Sequence, residues 1–177
     1  MSSRLSDTSY AVLGLIDRLG PATPYQLKQA AQSSLFHFWT IPHTQIYSES
    51  ARLAEIGLLE EQQEETGRRR RTYQLTPDGR AELNRWREDP DTELRELRDP
   101  ALLKLFCGAA PAALAQSQSK RHKELLEQYL QLQKNDMPDG ARHALAAGIA
   151  QEREYTRFWS HLAKDAQADA RSSGDLH

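Results

Sequence analysis

Two clusters of polar side chains have the types and the spacing needed to bind a nucleic acid. One lies at 43–52, where hydroxyl, amide, imidazole and guanidinium groups suited to base edges and phosphates follow one another. Its candidate contacts are His43, Thr44, Gln45, Tyr47, Ser48 and Arg52. The other is the run Arg68, Arg69, Arg70 and Arg71, whose fixed positive charges favour phosphate. Either cluster alone is compatible with solvated surface, but together they predict DNA binding.

A helix and a hairpin are predicted to position these clusters. The helix begins near His43, with Thr44 as its cap, and ends at Gly57. Its predicted inward residues are Ile46, Leu53 and Ile56. Leu58-Leu59 opens a first strand, Tyr73 and Leu75 alternate on a second, and Thr66-Gly67 turns between them. A polar helix followed by a basic hairpin is the arrangement of a winged helix-turn-helix.

Two helices are predicted ahead of this unit and one after it. The first runs over about 7–19, capped by Ser6 or Asp7 and stopped by Gly20-Pro21. The second starts at Thr23-Pro24, with Leu27 and Ala31 facing inward and Tyr25 partly so; Tyr25 completes the predicted set of DNA-contacting residues. Thr76-Pro77 opens the helix after the hairpin, whose predicted apolar contacts are Ala81, Leu83 and Trp86.

The C-terminal half is predicted to be helical and to form a dimer. Helices are expected at 101–110, 111–135 and 141–169, with a turn at 137–140. An antiparallel pair of amphipathic helices cannot cover both of its own apolar faces, so a second copy is the expected remedy. The predicted dimerisation residues are Leu103, Leu125, Tyr129, Leu132, Ile149, Tyr155, Trp159 and Leu162. Polar residues in the heptad seam argue against a long regular coiled coil.

Composition limits the classes of protein. Net charge is −2, and residues 1–90 hold 11 Lys and Arg against 12 Asp and Glu, so the basic patch is local to the arginine run. There is no apolar run long enough for a membrane span and no signal peptide, which predicts a cytoplasmic protein. The one cysteine, Cys107, is expected to be a buried thiol. The histidines lack metal-ligand spacing, and no cofactor or enzyme is expected.

Several segments resemble the PadR family of bacterial transcriptional regulators. The opening helices read SYAVLGLI and GPATPYQL, and the third reads FW, HTQIY and ARLAEIGLL. The wing and the helix after it read RRRRTYQLTPDGRAEL. The C-terminal segments LRDPALLKLF and GIAQEREYTRFW are similar to the subgroup with the longer helical C-terminal half. The chain departs from the family at Ser50, where a large aliphatic is usual; Ser50 is expected to face the core and bond back to the carbonyl of Ile46.

The resemblance implies a fold, a partner and an effector. The fold is mainly α: a winged helix-turn-helix of three helices and a two-stranded wing at 1–88, a hinge at 89–98, a helical dimerisation domain at 99–170 and a disordered tail at 171–177. It implies that Tyr47 contacts the DNA backbone and that a small aromatic or hydrophobic effector binds. Effector-pocket candidates are Phe36, Phe38, Trp39, Tyr155, Phe158 and Trp159, with the helical core as the alternative reading.

The predicted function is a homodimeric, sequence-specific repressor that binds a pseudo-palindromic operator. A winged helix used only for protein interaction remains an alternative. So does a regulator of another winged-helix family such as the MarR type, although that type also has dimerisation helices ahead of the winged helix, and here the first helix is expected to start by Asp7.

Overall fold

A computed structural model of the chain describes residues 5–34, 39–63, 70–94 and 96–174. The helices are α1 Asp7–Leu19, α2 Pro24–Ser34, α3 His43–Glu55, α4 Pro77–Glu88, α5 Pro100–Phe106, α6 Pro111–Leu132 and α7 Asp139–Gly174, and the strands are β1 Leu59–Gln63 and β2 Arg71–Leu75. The chain divides into two compact units, Met1–Glu93 and Leu94–His177, and this division lies within 89–98. The mainly helical fold with one two-stranded antiparallel sheet is the fold class predicted from the sequence.

The first unit is built around the apolar faces of α1 and α3. Leu13 and Leu53 are fully buried there, and the side chains of Ile16 and Ile46 are at most 2% exposed. Ser50 is also fully buried, and its hydroxyl donates to the carbonyl oxygen of Ile46 at 2.8 Å, as predicted. Burial of the four apolar side chains contributes roughly 1.5–3 kcal/mol each. The exposed face of α3 therefore belongs to a well-packed helix.

The two strands of the hairpin pair with one another, and the second strand also pairs with the connection between α1 and α2. β1 and β2 pair antiparallel, with Leu59 opposite Leu75 and Gln63 opposite Arg71. Outside the hairpin, Ala22 and Tyr73 exchange two backbone hydrogen bonds of 3.0 and 2.9 Å. The wing is therefore fixed to the connection between α1 and α2. The predicted turn at Thr66-Gly67 lies outside the described residues.

Capping residues set the ends of several helices where the sequence placed them. Ser6 accepts from the Ser9 amide at the start of α1, and Gly20, with φ 75°, ends that helix. Thr76 accepts from the Gly79 amide at the start of α4. Gly57, with φ 79°, follows α3 as expected. These positions are confirmed because each rests on a local hydrogen bond or on a positive φ that glycine adopts without strain.

The α3 cap and three burial predictions in the sequence are wrong. Helix α3 begins at His43, with Pro42 before it and no side-chain cap, so Thr44 lies inside the helix. Ile56 is 49% exposed because α3 ends at Glu55 and the helical period no longer applies. Cys107 is exposed because it continues the face of α5 on which Leu103 and Phe106 are exposed. Ala81 is also exposed, whereas Leu83 is buried and Trp86 stacks on Tyr10 with ring centroids 4.7 Å apart.

The second unit is a long helical hairpin with α5 packed on it. Tyr129, Leu145 and Ile149 form one cluster between α6 and α7, and Ala101, Ala115, Trp159 and Ala163 form another that includes α5. Two polar pairs lie between the long helices: His122 Nδ1 is 2.6 Å from Glu152 Oε2, and the hydroxyls of Ser119 and Ser160 are 2.8 Å apart. The polar pairs fix the register of one helix against the other.

Several residues predicted to form a dimer interface belong instead to this intrachain core. Tyr129, Ile149 and Trp159 are at most 4% exposed, because α6 and α7 cover one another's apolar faces. Leu125, Leu132, Tyr155 and Leu162 are half-buried against the same clusters. Of the predicted set, Leu103 on α5 is the side chain left exposed, at 60%.

Helix α7 is longer than predicted at both ends. It begins at Asp139 rather than at 141 and continues to Gly174, so the prediction of a disordered tail is wrong for 171–174. Residues 175–177 lie outside the described residues. Within the described residues, no helix combines the length and the apolarity needed to cross a membrane.

Candidate nucleic-acid interface

One face of α3 presents polar side chains to solvent at the N-terminal end of the helix. Its exposed residues are His43, Thr44, Gln45, Tyr47 and Ser48. Ile46 and Ser50 point the opposite way, into the core. A helix that enters the major groove contacts bases with its N-terminal turns, so this face has the required position and chemistry. The Ser48 hydroxyl donates to the Thr44 carbonyl at 3.0 Å, which leaves it as an acceptor only.

A concavity of about 700 Å³ lies beside this face and joins three elements. It is lined by Thr23, Pro24, Tyr25, Gln26, Tyr47, Ala51, Arg70, Arg71 and Tyr73. The predicted contacts Tyr25, Tyr47, Arg70 and Arg71 are therefore brought together from α2, α3 and the wing. Tyr25 is 56% exposed and Tyr47 is 47% exposed. Phenol hydroxyls and guanidinium groups around one hollow are suited to phosphate oxygens.

The N-terminus of α2 is held by a reciprocal capping box. The Gln26 amide donates to Thr23 Oγ1 at 3.3 Å, and the Thr23 amide donates to Gln26 Oε1 at 2.9 Å. These bonds fix the first turn and with it the place of Tyr25. The capping role of Gln26 was not predicted, although Thr followed three residues later by Gln is a known signature of such a box.

Arg71 is held by β1. Its Nε lies 3.3 Å from Glu61 Oε1, and the Tyr73 hydroxyl donates to Glu61 Oε2 at 2.9 Å. Burial, followed by the Glu61 hydrogen bond, raises the pKa of Tyr73, so this phenol stays protonated at neutral pH. Arg68 and Arg69 lie outside the described residues, whereas Arg70 is exposed.

Arg52 differs from the other predicted reading residues because its guanidinium is already engaged. Its Nε and Nη2 donate to the two carboxylate oxygens of Glu49 at 3.0 and 2.6 Å. Nη2 also donates to the buried hydroxyl of Ser9, which itself donates to Glu49 at 2.5 Å. The Arg52 hydrogen bond lowers the pKa of Glu49, and the same bond raises the pKa of Arg52. Arg52 is thus part of a bridge from α3 to α1. No local pattern in the sequence indicated Ser9 as its partner.

Among the aromatic effector candidates, Trp39 lies in the first unit, whereas Tyr155, Phe158 and Trp159 lie in the second. Trp39 lines a cavity of about 280 Å³ between α2 and α3 in the first unit. Tyr155 and Phe158 line a concavity of about 700 Å³ in the second unit, with Leu102 and Leu162. Trp159 is fully buried in the core behind it, because it packs between α5 and the long helices. Phe36 and Phe38 lie outside the described residues. Among the described candidates, Tyr155 and Phe158 line one concavity together.

The comparison with known proteins identifies the first unit. Residues 12–85 match the model of the transcriptional regulator PadR-like family. Over 101 residues the chain is 32% identical to the negative transcriptional regulator PadR of Bacillus subtilis (strain 168). That alignment covers 55% of this chain and 54% of the relative, so it spans about half the length of the curated protein.

Solved structures match over nearly the whole chain and show the fold. The crystal structure of Bacillus subtilis PadR in complex with operator DNA superposes with a TM-score of 0.79 at 22% identity, covering 92% of this chain and 99% of that one. The PadR-like regulator BC1756 from Bacillus cereus gives 0.76 at 17% identity, with the same coverage of each chain. Bacillus subtilis PadR in complex with p-coumaric acid gives 0.76 at 21% identity, covering 90% and 98%.

The matched residues include α3, the wing and most of α4, which are the elements that hold the exposed polar face and the concavity. The long C-terminal helices α6 and α7 are consistent with the subgroup that has the larger C-terminal domain. This is a family of DNA-binding regulators without enzymatic activity. Residues 12–85, which hold these elements, therefore carry the sequence pattern of the PadR-like family of transcriptional regulators.

Proposed function

We propose that this regulator is a homodimeric, sequence-specific repressor that releases its operator when a small aromatic effector binds. The observation that carries the DNA contact is the exposed polar face of α3 beside the concavity lined by Tyr25, Tyr47, Arg70 and Arg71. In this proposal α3 reads base edges in the major groove, and Gln45 makes the bidentate contact that selects adenine. The tyrosines and Arg70 bind phosphates and position the helix.

The dimer follows from the operator geometry and from surface left apolar in the second unit. Two winged helices related by a two-fold axis read half-sites about one helical turn apart. Phe106 is 89% exposed and Leu103 is 60% exposed, and the two lie one turn apart on α5. Large apolar side chains exposed together mark an interaction surface. We assign this surface to the second copy.

Repression and effector release are supported by the relatives. The curated relative is a negative regulator, and a structure of the same Bacillus subtilis protein holds p-coumaric acid. In this chain the concavity beside Tyr155 and Phe158 has the apolar lining that suits an aromatic ring, and His161 also lines it, as does Arg157, which is paired with Glu154. A ligand there shifts the equilibrium only through its different affinity for the DNA-bound and free states. Thermal shift with aromatic carboxylic acids measures that binding.

A salt titration tests the DNA contact. Binding to a fragment of the protein's own promoter is measured by gel shift over a range of salt concentrations. Each phosphate contact adds about 0.9 to the slope of log affinity against log salt, so binding must weaken steeply as salt rises. Arg70→Ala should flatten the slope by about that amount for every sequence tested. Affinity that does not change with salt, or no binding to any promoter fragment, contradicts the proposal and favours a protein-interaction module.

A further inference from the structure

The DNA-facing unit carries acidic residues that the reading of bases does not need. We propose that two of them, Glu49 and Glu61, hold Arg52 and Arg71 away from DNA phosphates and so lower the sequence-independent affinity of the protein. They are positioning residues, since each acts through an arginine. This inference rests on the proposed DNA binding and adds to it a restraint on phosphate binding.

The stronger of the two contacts is on α3. Glu49 accepts both arms of the Arg52 guanidinium, at 2.6 and 3.0 Å, in the fork geometry that makes such pairs strong. The Glu49 side chain is only 14% exposed, and Ser9 beneath it is fully buried, so water competes poorly for this carboxylate. The three groups lock one another: Ser9 donates to Glu49, and Arg52 donates to both. Releasing Arg52 toward a phosphate would leave a part-buried carboxylate without its main partner.

The second contact is on the wing and is weaker. Glu61 pairs with Arg71 at 3.3 Å across the strands, but the arginine side chain is 58% exposed. Exposed ion pairs of this kind stabilise little, so Arg71 exchanges more readily between Glu61 and a nearby phosphate. The Tyr73 hydroxyl holds the other carboxylate oxygen and keeps Glu61 aimed at Arg71. The two acidic residues therefore act with different strength.

A paired arginine contributes little to non-specific binding. Its charge is already neutralised, so moving it to a phosphate exchanges one ion pair for another and gains only part of the counterion release. Base contacts of α3 are unaffected by this exchange. The result is a lower phosphate-dependent affinity for DNA of any sequence, so a larger share of the binding free energy at the operator comes from base contacts. It also accounts for a DNA-facing half that is not basic.

Neutralising each carboxylate tests the proposal, with a matched control for each. Glu61→Gln is compared with Glu60→Gln, which removes the same charge from the neighbouring position of β1, where the carboxylate accepts from Gln74 rather than an arginine. Glu49→Gln is compared with Glu55→Gln, an exposed position of the same helix that belongs to none of the ion pairs in the described part of the chain. The probes are a short mixed-sequence duplex and the protein's own promoter fragment, each titrated against salt.

The expected result is a steeper salt slope for mixed-sequence DNA in Glu49→Gln and Glu61→Gln than in their controls. One added phosphate contact steepens the slope by about 0.9, which is roughly a 3-fold further loss of affinity between 50 and 200 mM salt. Subtracting the control removes the long-range effect of the lost charge. If the wild type binds DNA but the variants have the same slopes as their controls, the inference is overturned and the proposed function is not. A wild type without salt-dependent binding overturns the proposed function as well.

Substitution of Arg52 provides a second, independent test of the inference. Arg52→Ala should leave the slope for mixed-sequence DNA nearly unchanged in the wild type and should flatten it in the Glu49→Gln background, because only there is the guanidinium free. Circular dichroism and thermal unfolding verify that each variant is folded. If Glu49→Gln does not fold, the Glu61 and Glu60 pair carries the test on an exposed strand. A flatter slope from Arg52→Ala in the wild type contradicts the inference, since it means that Arg52 already binds phosphate.

Discussion

Gln45 is the exposed α3 side chain able to make two parallel hydrogen bonds to one adenine. Gln45→Ala should therefore lose discrimination at one or two base pairs, at a cost of about 1–3 kcal/mol, while binding of mixed-sequence DNA changes little. Ser48→Ala is the matched comparison on the same face and should cost less, because its hydroxyl already donates to the Thr44 carbonyl. Binding to single-base variants of the operator measures both. An equal loss on every sequence would assign Gln45 to phosphate instead.

Glu49 also makes the first unit sensitive to acid. The Arg52 hydrogen bond lowers its pKa in the folded state. The stabilisation is therefore present above the unfolded carboxyl pKa of about 4.3 and is lost as pH falls through the lower folded value. Between about pH 5 and pH 2, the wild type should lose more free energy of unfolding than Glu49→Gln, as measured by urea unfolding at each pH. Glu55→Gln should follow the wild-type curve. Parallel curves for Glu49→Gln and wild type would contradict the assignment.

At the scale of elements, the start of α4 depends on a glycine with no room for a side chain. A Cβ at Gly79 would overlap the backbone carbonyl oxygen of Leu58, just before β1. Gly79→Ala should destabilise the protein by about 1–3 kcal/mol, despite the better helix propensity of alanine. Gly14→Ala in α1 is the control, and its effect on the free energy of unfolding should have the opposite sign. Nothing lies within 4 Å of its Cβ, so it should stabilise by about 0.5–1 kcal/mol. Thermal unfolding measures both changes, and the same sign for both would contradict this account.

The sequence predicts the helix ends that depend on residues close to one another in the chain. Ser6, Thr76 and Gly57 mark helix ends because each acts through neighbouring backbone. Ile56 is exposed because an apolar residue one position past a helix end no longer follows its period.

Contacts between distant segments could not be predicted in the same way. The bridge from Ser9 to Glu49 joins α1 to α3, and nothing near either residue in the sequence indicates it. The face of α3 could be predicted, but the restraint on Arg52 could not. The same is true of the intrachain burial of Trp159, since periodicity shows which side of a helix is apolar and not what covers it.

At the scale of the whole molecule, the exposed apolar side chains of α5 make the dimer testable. Leu103→Ser with Phe106→Ser should shift the protein toward monomer, raising the dimer Kd at least about tenfold, because each buried apolar side chain contributes about 1.5–3 kcal/mol. Sedimentation velocity over a concentration series measures the shift. Leu94→Ser is the control: Leu94 is 99% exposed before α5 and should leave the oligomeric state unchanged. A dimer of undiminished strength in the double variant would place the interface elsewhere.

The two backbone hydrogen bonds between Ala22 and Tyr73 have a consequence for measurement. Their amide protons lie between segments distant in the chain, so they are freed only when the wing separates from the connection between α1 and α2. Their rates of deuterium uptake therefore report how often the first unit opens, at single-residue resolution and without any added probe. If DNA holds that unit closed, uptake at these two amides should slow when operator is added. Amides at the exposed end of β1 would keep their rates.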